Sequence, residues 1–163
     1  MENRFPGGSW PVMLTPFTED NKIDYVAVQG IIDWYAAHGV TGIFAVCQSS
    51  EMFFLSKEER LELAKYVIEH GHEKGMDVVV SGHVAEKVED QVAEAQAIID
   101  MGADSYVFIS NQFAAQDESE EVAKERIAYL LEHINAESFG IYECPYPYKR
   151  VLSPELLKWC ADT

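Results

Sequence analysis

The chain has 163 residues, 48% of them apolar and 25% charged, which suits one packed domain and argues against disorder. Acidic side chains outnumber basic ones 28 to 12, for a formal net charge of −16, so nucleic acid and anionic membrane surfaces are not expected partners. The start, "MENRFPGGSW", carries no apolar signal core and no run approaches membrane-spanning length, so a soluble cytoplasmic protein is expected.

Residues 9–15, "SWPVMLT", are an apolar run closed by Pro16 and read as a first strand. A helix over 24–39 follows, with Asp24 placed to start it and Gly39 to end it. The second strand is "TGIFAVC" (41–47), and Ser56 with Glu59 forms a capping box opening a helix over 56–71. Strand three is 77–82 with its helix at 89–102, and strand four is 104–110 with an acid-rich helix at 118–134. Strand five, "FGIYEC", spans 139–144, and "SPELLKWC" (153–160) begins a fifth helix with Ser153 as cap and Pro154 in its first turn.

Strands recur at roughly 30-residue intervals with a helix between each pair, which implies parallel pairing, and their near-continuous apolar character implies cover on both faces. Five such units fit an open doubly wound sheet or the first part of an eight-fold barrel. No Gly-x-Gly-x-x-Gly or P-loop follows the first strand, which favours the barrel. Cys47, Cys144 and Cys160 show no paired spacing and read as reduced thiols, so neither a metal nor a cofactor is expected.

In a barrel the chemistry sits at the strand C-termini. After strand two, Gln48, Ser49 and Ser50 put an amide, two hydroxyls and backbone N–H groups in one turn able to hold a carboxylate, although serines also favour loops with no ligand at all. Tyr142, ending strand five, reads either as a proton donor and acceptor or as a core tyrosine with a satisfied hydroxyl. Glu143 alternates to the other face and reads as a rim carboxylate. Phe113 reads as packing or as cover for a pocket, Lys149 and Arg150 as solvated loop cations or as attractors of an acidic substrate, and His83 as a candidate without an evident partner.

These stretches resemble the dihydrodipicolinate synthase/N-acetylneuraminate lyase family. "VMLTPFTEDNKID" is similar to its first strand and loop, and "GVTGIFAVCQSSEMFFLSKEER" to its second strand with a Gly-Thr-Thr-Gly-Glu loop. "GADSYVFIS" and "IYECP" are similar to its fourth and fifth strands. The resemblance implies a (β/α)₈ barrel, with residues 1–163 forming a single partial barrel domain of about five βα units that ends before a sixth strand. It implies a homo-oligomer and a lyase or aldolase that binds pyruvate or another 2-oxo acid as a Schiff base on a lysine. Tyr142 takes the place of the proton-shuttling tyrosine, and Ser49 and Ser50 that of the Thr-Gly pair holding the carboxylate. Gln48 replaces a threonine that links two tyrosines in a proton relay, and Phe113 falls where the second tyrosine is usual. The family lysine ends strand six; Lys158, on the fifth helix, is no substitute for it. The departures leave lysine biosynthesis and an aldol or dehydration reaction on a sugar-derived 2-oxo acid both open. A non-catalytic 2-oxo-acid binding module on the same fold is the alternative.

Overall fold

The structure is a computed structural model that describes residues 5–163. Capping residues set the helix starts. The Asp24 carboxylate accepts from the N–H groups of Val26 and Ala27, both at 3.0 Å, and opens α1 (Tyr25–Ala37). Gly39, at φ +70, takes the left-handed conformation that ends it. In α2 (Lys57–Glu73) Ser56 and Glu59 satisfy each other's backbone N–H groups reciprocally, at 3.2 and 2.8 Å. Then come α3 (Val88–Asp100), α4 (Glu120–His133) and α5 (Pro154–Asp162), the last capped by the Ser153 hydroxyl on Leu156 N–H at 3.1 Å.

Between the helices run β1 (Gly42–Ala45), β2 (Asp77–Val80), β3 (Ser105–Ile109) and β4 (Phe139–Tyr142). They form one sheet in the order β1-β2-β3-β4, every pair parallel. The expected first strand is shorter than its apolar pattern. Residues 9–15 run beside β1 but make only one parallel bridge, Val12 to Phe44, held by Met13 N–H on the Phe44 carbonyl at 2.8 Å and Phe44 N–H on the Pro11 carbonyl at 2.9 Å. Pro11 has no N–H to extend the ladder.

Strand alternation divides the sheet into two faces. Ile43, Ala45, Val78, Val80, Tyr106 and Phe108 are buried in the core on the helix-covered side. On that side Arg60 of α2 and Glu94 of α3 form a buried ion pair at 3.0 Å, with Lys57 4.0 Å from the other Glu94 oxygen; removing Glu94 would strand the Arg60 charge, a loss of roughly 3–5 kcal/mol. On the other face Phe44, Val79, Val107, Gly140 and Tyr142, with Phe5 and Trp10, line a trough of about 420 Å³. Trp10 lies so close over Gly42 that a Cβ there would come within 2.2 Å of its ring, which is why this position takes no side chain.

The trough is apolar and open, and the far edge of β4 is unpaired among the described strands. A polypeptide of these 163 residues alone is therefore expected to self-associate, or to require a complementary fragment, in sedimentation experiments. A monodisperse monomer that unfolds cooperatively in calorimetry would show that the open face is stable in water.

Candidate active site

The C-terminal ends of β1 and β4 are drawn together by side chains. Immediately after β1, Val46 sits at φ +49, a left-handed conformation that β-branched residues avoid, at a strain of roughly 1–3 kcal/mol. This bend throws the chain into a single tight turn, Gln48–Ser50. The Ser50 hydroxyl pins that turn: it donates to the Met13 carbonyl at 2.6 Å and accepts from Cys47 N–H at 3.1 Å. Thr15 closes the arrangement by donating to the Ser50 carbonyl at 2.7 Å. Ser50 is fully buried, so its hydroxyl shapes the turn rather than facing a ligand, while Ser49 is exposed and Gln48 half-buried.

Tyr142, the last residue of β4, lines the trough, packs its ring edge-on to Phe44 and donates its hydroxyl to Gln48 Oε1 at 3.2 Å. The Cys144 thiol lies 3.5 Å from the same oxygen and 3.4 Å from the Tyr146 carbonyl. Burial raises the Tyr142 hydroxyl above its ordinary range, and the neighbouring thiols of Cys144 and Cys47 add to this, so it stays protonated at neutral pH. Burial likewise raises the Cys144 thiol, which is held as a thiol rather than as a reactive thiolate.

The loop over this end, residues 143–152, is fastened from outside. The Asn111 amide nitrogen lies 3.1, 2.8 and 2.8 Å from the carbonyls of Cys144, Tyr146 and Tyr148. The Tyr148 hydroxyl reaches the carbonyls of Asn111 and Ala114, and Ser110 donates to the Arg150 carbonyl at 2.6 Å. Arg150 spends its guanidinium on the carbonyls of Ala115, Glu118 and Ser119, so it is a loop clamp and not a free cation for substrate. Glu143 accepts from Leu152 N–H at 2.9 Å, the rim role expected of it. Lys149 is exposed, and Lys158 pairs with Asp162 on α5. Asn111 and Tyr148 were not legible as anchors, because their partners lie more than thirty residues away in sequence.

Two further residues turn out to be core. Phe113 is fully buried against His83 and Phe108. His83 has the partners its sequence context did not reveal: Nδ1 accepts from Ile109 N–H at 3.2 Å, so Nε2 carries the proton and meets Gln91 Oε1 at 2.8 Å. It ties the end of β2 to the end of β3. At the opposite end of the sheet a second, polar groove is lined by Asp104, Asn135, Glu137 and Ser138. No cluster of metal-binding side chains is found among the described residues.

A parallel sheet with helices on one face and its polar side chains gathered at the strand C-termini defines a barrel-type scaffold. A family profile, the Dihydrodipicolinate synthetase family, matches residues 6–126, and the chain belongs to that family. It is 36% identical over 107 residues to an uncharacterized DapA-like lyase of Thermofilum pendens, a match covering 66% of this chain and 35% of that one. It is 29% identical over 103 residues to the 4-hydroxy-tetrahydrodipicolinate synthase of Cellvibrio japonicus, covering 63% and 35%. Among solved structures it superposes with a TM-score of 0.82 and 24% identity on YagE, a prophage protein of the dihydrodipicolinic acid synthase family from E. coli K12 in complex with pyruvate, covering 95% of this chain and 50% of that one. The chain thus spans about a third of the curated relatives and half of the solved one, and its fold is a partial (β/α)₈ barrel.

Burial holds His83 neutral, lowering its pKa from 6.5 to about 4. Between those values the unfolded chain binds the extra proton and the folded chain does not, so stability falls as pH drops through this window, on the order of 3 kcal/mol in all. Denaturant melts at pH 7 and pH 4.5 should show a smaller loss for His83→Gln than for the native chain. Equal losses would contradict the buried neutral imidazole.

Proposed function

We propose that this chain supplies the 2-oxo-acid-binding part of a Schiff-base lyase or aldolase, acting on a carbon–carbon or carbon–oxygen bond of pyruvate or a related 2-oxo acid. The observation that carries the reading is the meeting of Tyr142 and Gln48 beside the exposed Ser49, where the apolar trough reaches the strand C-termini. A 2-oxo acid has a small apolar body and a carboxylate head. The trough suits the body, and the Ser49 hydroxyl and Gln48 amide N–H groups suit the head. Tyr142 then stands within reach of the reacting centre as its acid/base. Ser50 contributes by fixing the turn through Met13 and Cys47.

No lysine among the described residues lines the trough, so these residues by themselves are expected to form no imine. The same observation favours a second reading, a 2-oxo-acid binding module without catalysis. Self-association is part of the proposal: Phe54, 75% exposed, and Tyr146, 46% exposed, form an aromatic patch beside the site that a second subunit can cover. The location proposed is the cytoplasm, in keeping with the three unpaired thiols.

The test is pyruvate binding by NMR titration. Ser49→Ala should weaken it by about 1–3 kcal/mol, the loss of one hydrogen bond to a charged group. Unchanged affinity would remove the turn from the site. Borohydride reduction with pyruvate, read by mass spectrometry, should leave no adduct; a stoichiometric adduct on Lys149 would overturn the assignment of the nucleophile.

A further inference from the structure

Two buried polar atoms on the helix-covered side of the sheet have no hydrogen-bond partner among the described residues: the Tyr106 hydroxyl and Arg60 Nε. Tyr106, the second residue of β3, is fully buried, and Arg60 of α2 is 8% exposed. A donor buried without a partner forfeits the bonds it makes to water in the unfolded chain, so native folds rarely leave one stranded. Neither group is free to swing out to solvent. Arg60 is held at both terminal nitrogens, Nη1 on the Leu55 carbonyl at 2.8 Å and Nη2 on Glu94 Oε2 at 3.0 Å. Tyr106 is set beside Val80 by the strand register, with its ring edge-on to Phe108 at 5.2 Å.

Both atoms belong to one electrostatic cluster. Burial raises the Tyr106 pKa far above the ordinary phenol range; the Glu94 charge adds to the rise and the Arg60 charge opposes it, so the hydroxyl keeps its proton. Glu94 has capacity to spare, since its second oxygen, Oε1, stands 4.0 Å from Lys57, beyond hydrogen-bond length. We infer that one buried water molecule sits at this junction of α2, α3 and β3, accepting from Arg60 Nε and the Tyr106 hydroxyl and donating to Glu94 Oε1. Water is the ligand the chemistry selects. Two donors call for an acceptor with two lone pairs, and the free carboxylate oxygen calls for a donor; one water supplies both. An anion would face the Glu94 charge, and an ammonium ion has no lone pair for the two donors. Space beside the Arg60 stem is about the size of a methyl group: a Cβ placed on Gly82 would stand 3.4 Å from Val46, 3.7 Å from Arg60 Cδ and 3.9 Å from Ile98. The water makes the ion pair part of a single hydrogen-bonded junction that ties both helices to the sheet, in place of two charges and a phenol sharing a dry core.

Tyr106→Phe tests the junction, because it removes one hydroxyl and keeps the ring that packs the core. With the water in place the substitution breaks a hydrogen bond, and the unfolding equilibrium constant should rise roughly 3- to 10-fold in denaturant melts at matched protein concentration. A hydroxyl without a partner gives the opposite sign, since a phenyl ring is easier to bury than a phenol. A direct bond between Tyr106 and Glu94 would also give a rise, so the second readout is a crystal structure of the 163-residue chain. It should show an ordered water within hydrogen-bond distance of both Arg60 Nε and the Tyr106 hydroxyl, and none there in Tyr106→Phe bonded as before to three partners. An unchanged or smaller unfolding constant overturns the inference. So does a larger one in a structure where the Tyr106 hydroxyl meets Glu94 directly with no water between them.

Discussion

Alternation along four parallel strands is the constraint from which the rest follows. Every second side chain of β1 and β2 goes under the helices, and those are the fully buried ones, Ile43, Ala45, Val78 and Val80. The intervening positions, Phe44 and Val79, must face the other way, in line with Val107, Gly140 and Tyr142. Because the strands are parallel, all their C-terminal ends lie on one side, and Tyr142 and the Gln48–Ser50 turn are delivered to the same rim despite 94 residues between Gln48 and Tyr142. The site is a product of topology before it is a product of chemistry.

Local strain and local hydrogen bonding then refine what topology delivers. Val46 bends the chain sharply at the end of β1, and Ser50 and Thr15 hold the bend by bonding to the segment beside it. On the other side Asn111 gathers three carbonyls of the loop after β4, and Arg150 gathers three more from the segment leading into α4. Both ends of the site are therefore anchored through backbone carbonyls. Substitutions at Asn111 or Ser50 act on geometry, and under the proposed function those at Ser49 or Gln48 act on ligand.

The alternating order of strands and helices was legible in the sequence because it rests on local signals: apolar runs, the Asp24, Ser56 and Ser153 caps, and Gly39. The overestimate of the first strand has a specific cause, since apolar character at 9–15 says nothing about the donor missing at Pro11. Tyr142 and the Gln48–Ser50 turn could be picked out as strand-end polar residues. Their division of labour could not. Nothing in "QSS" distinguishes the buried Ser50, bonded to Met13, from the exposed Ser49. Arg150 and His83 show the same limit: a cation in a loop and a histidine at a strand end invite functional readings, and only long-range partners reveal a clamp and a core residue.

The central claim is that the rim joining β1 and β4 is where a small carboxylic acid binds. Chemical-shift mapping of the ¹⁵N-labelled chain with pyruvate tests it most directly. The account predicts perturbations centred on the Gln48 side-chain amide, the Ser49 N–H and the backbone around Tyr142. Perturbations centred instead on the polar groove at the other end of the sheet, around Asp104 and Ser138, would contradict it.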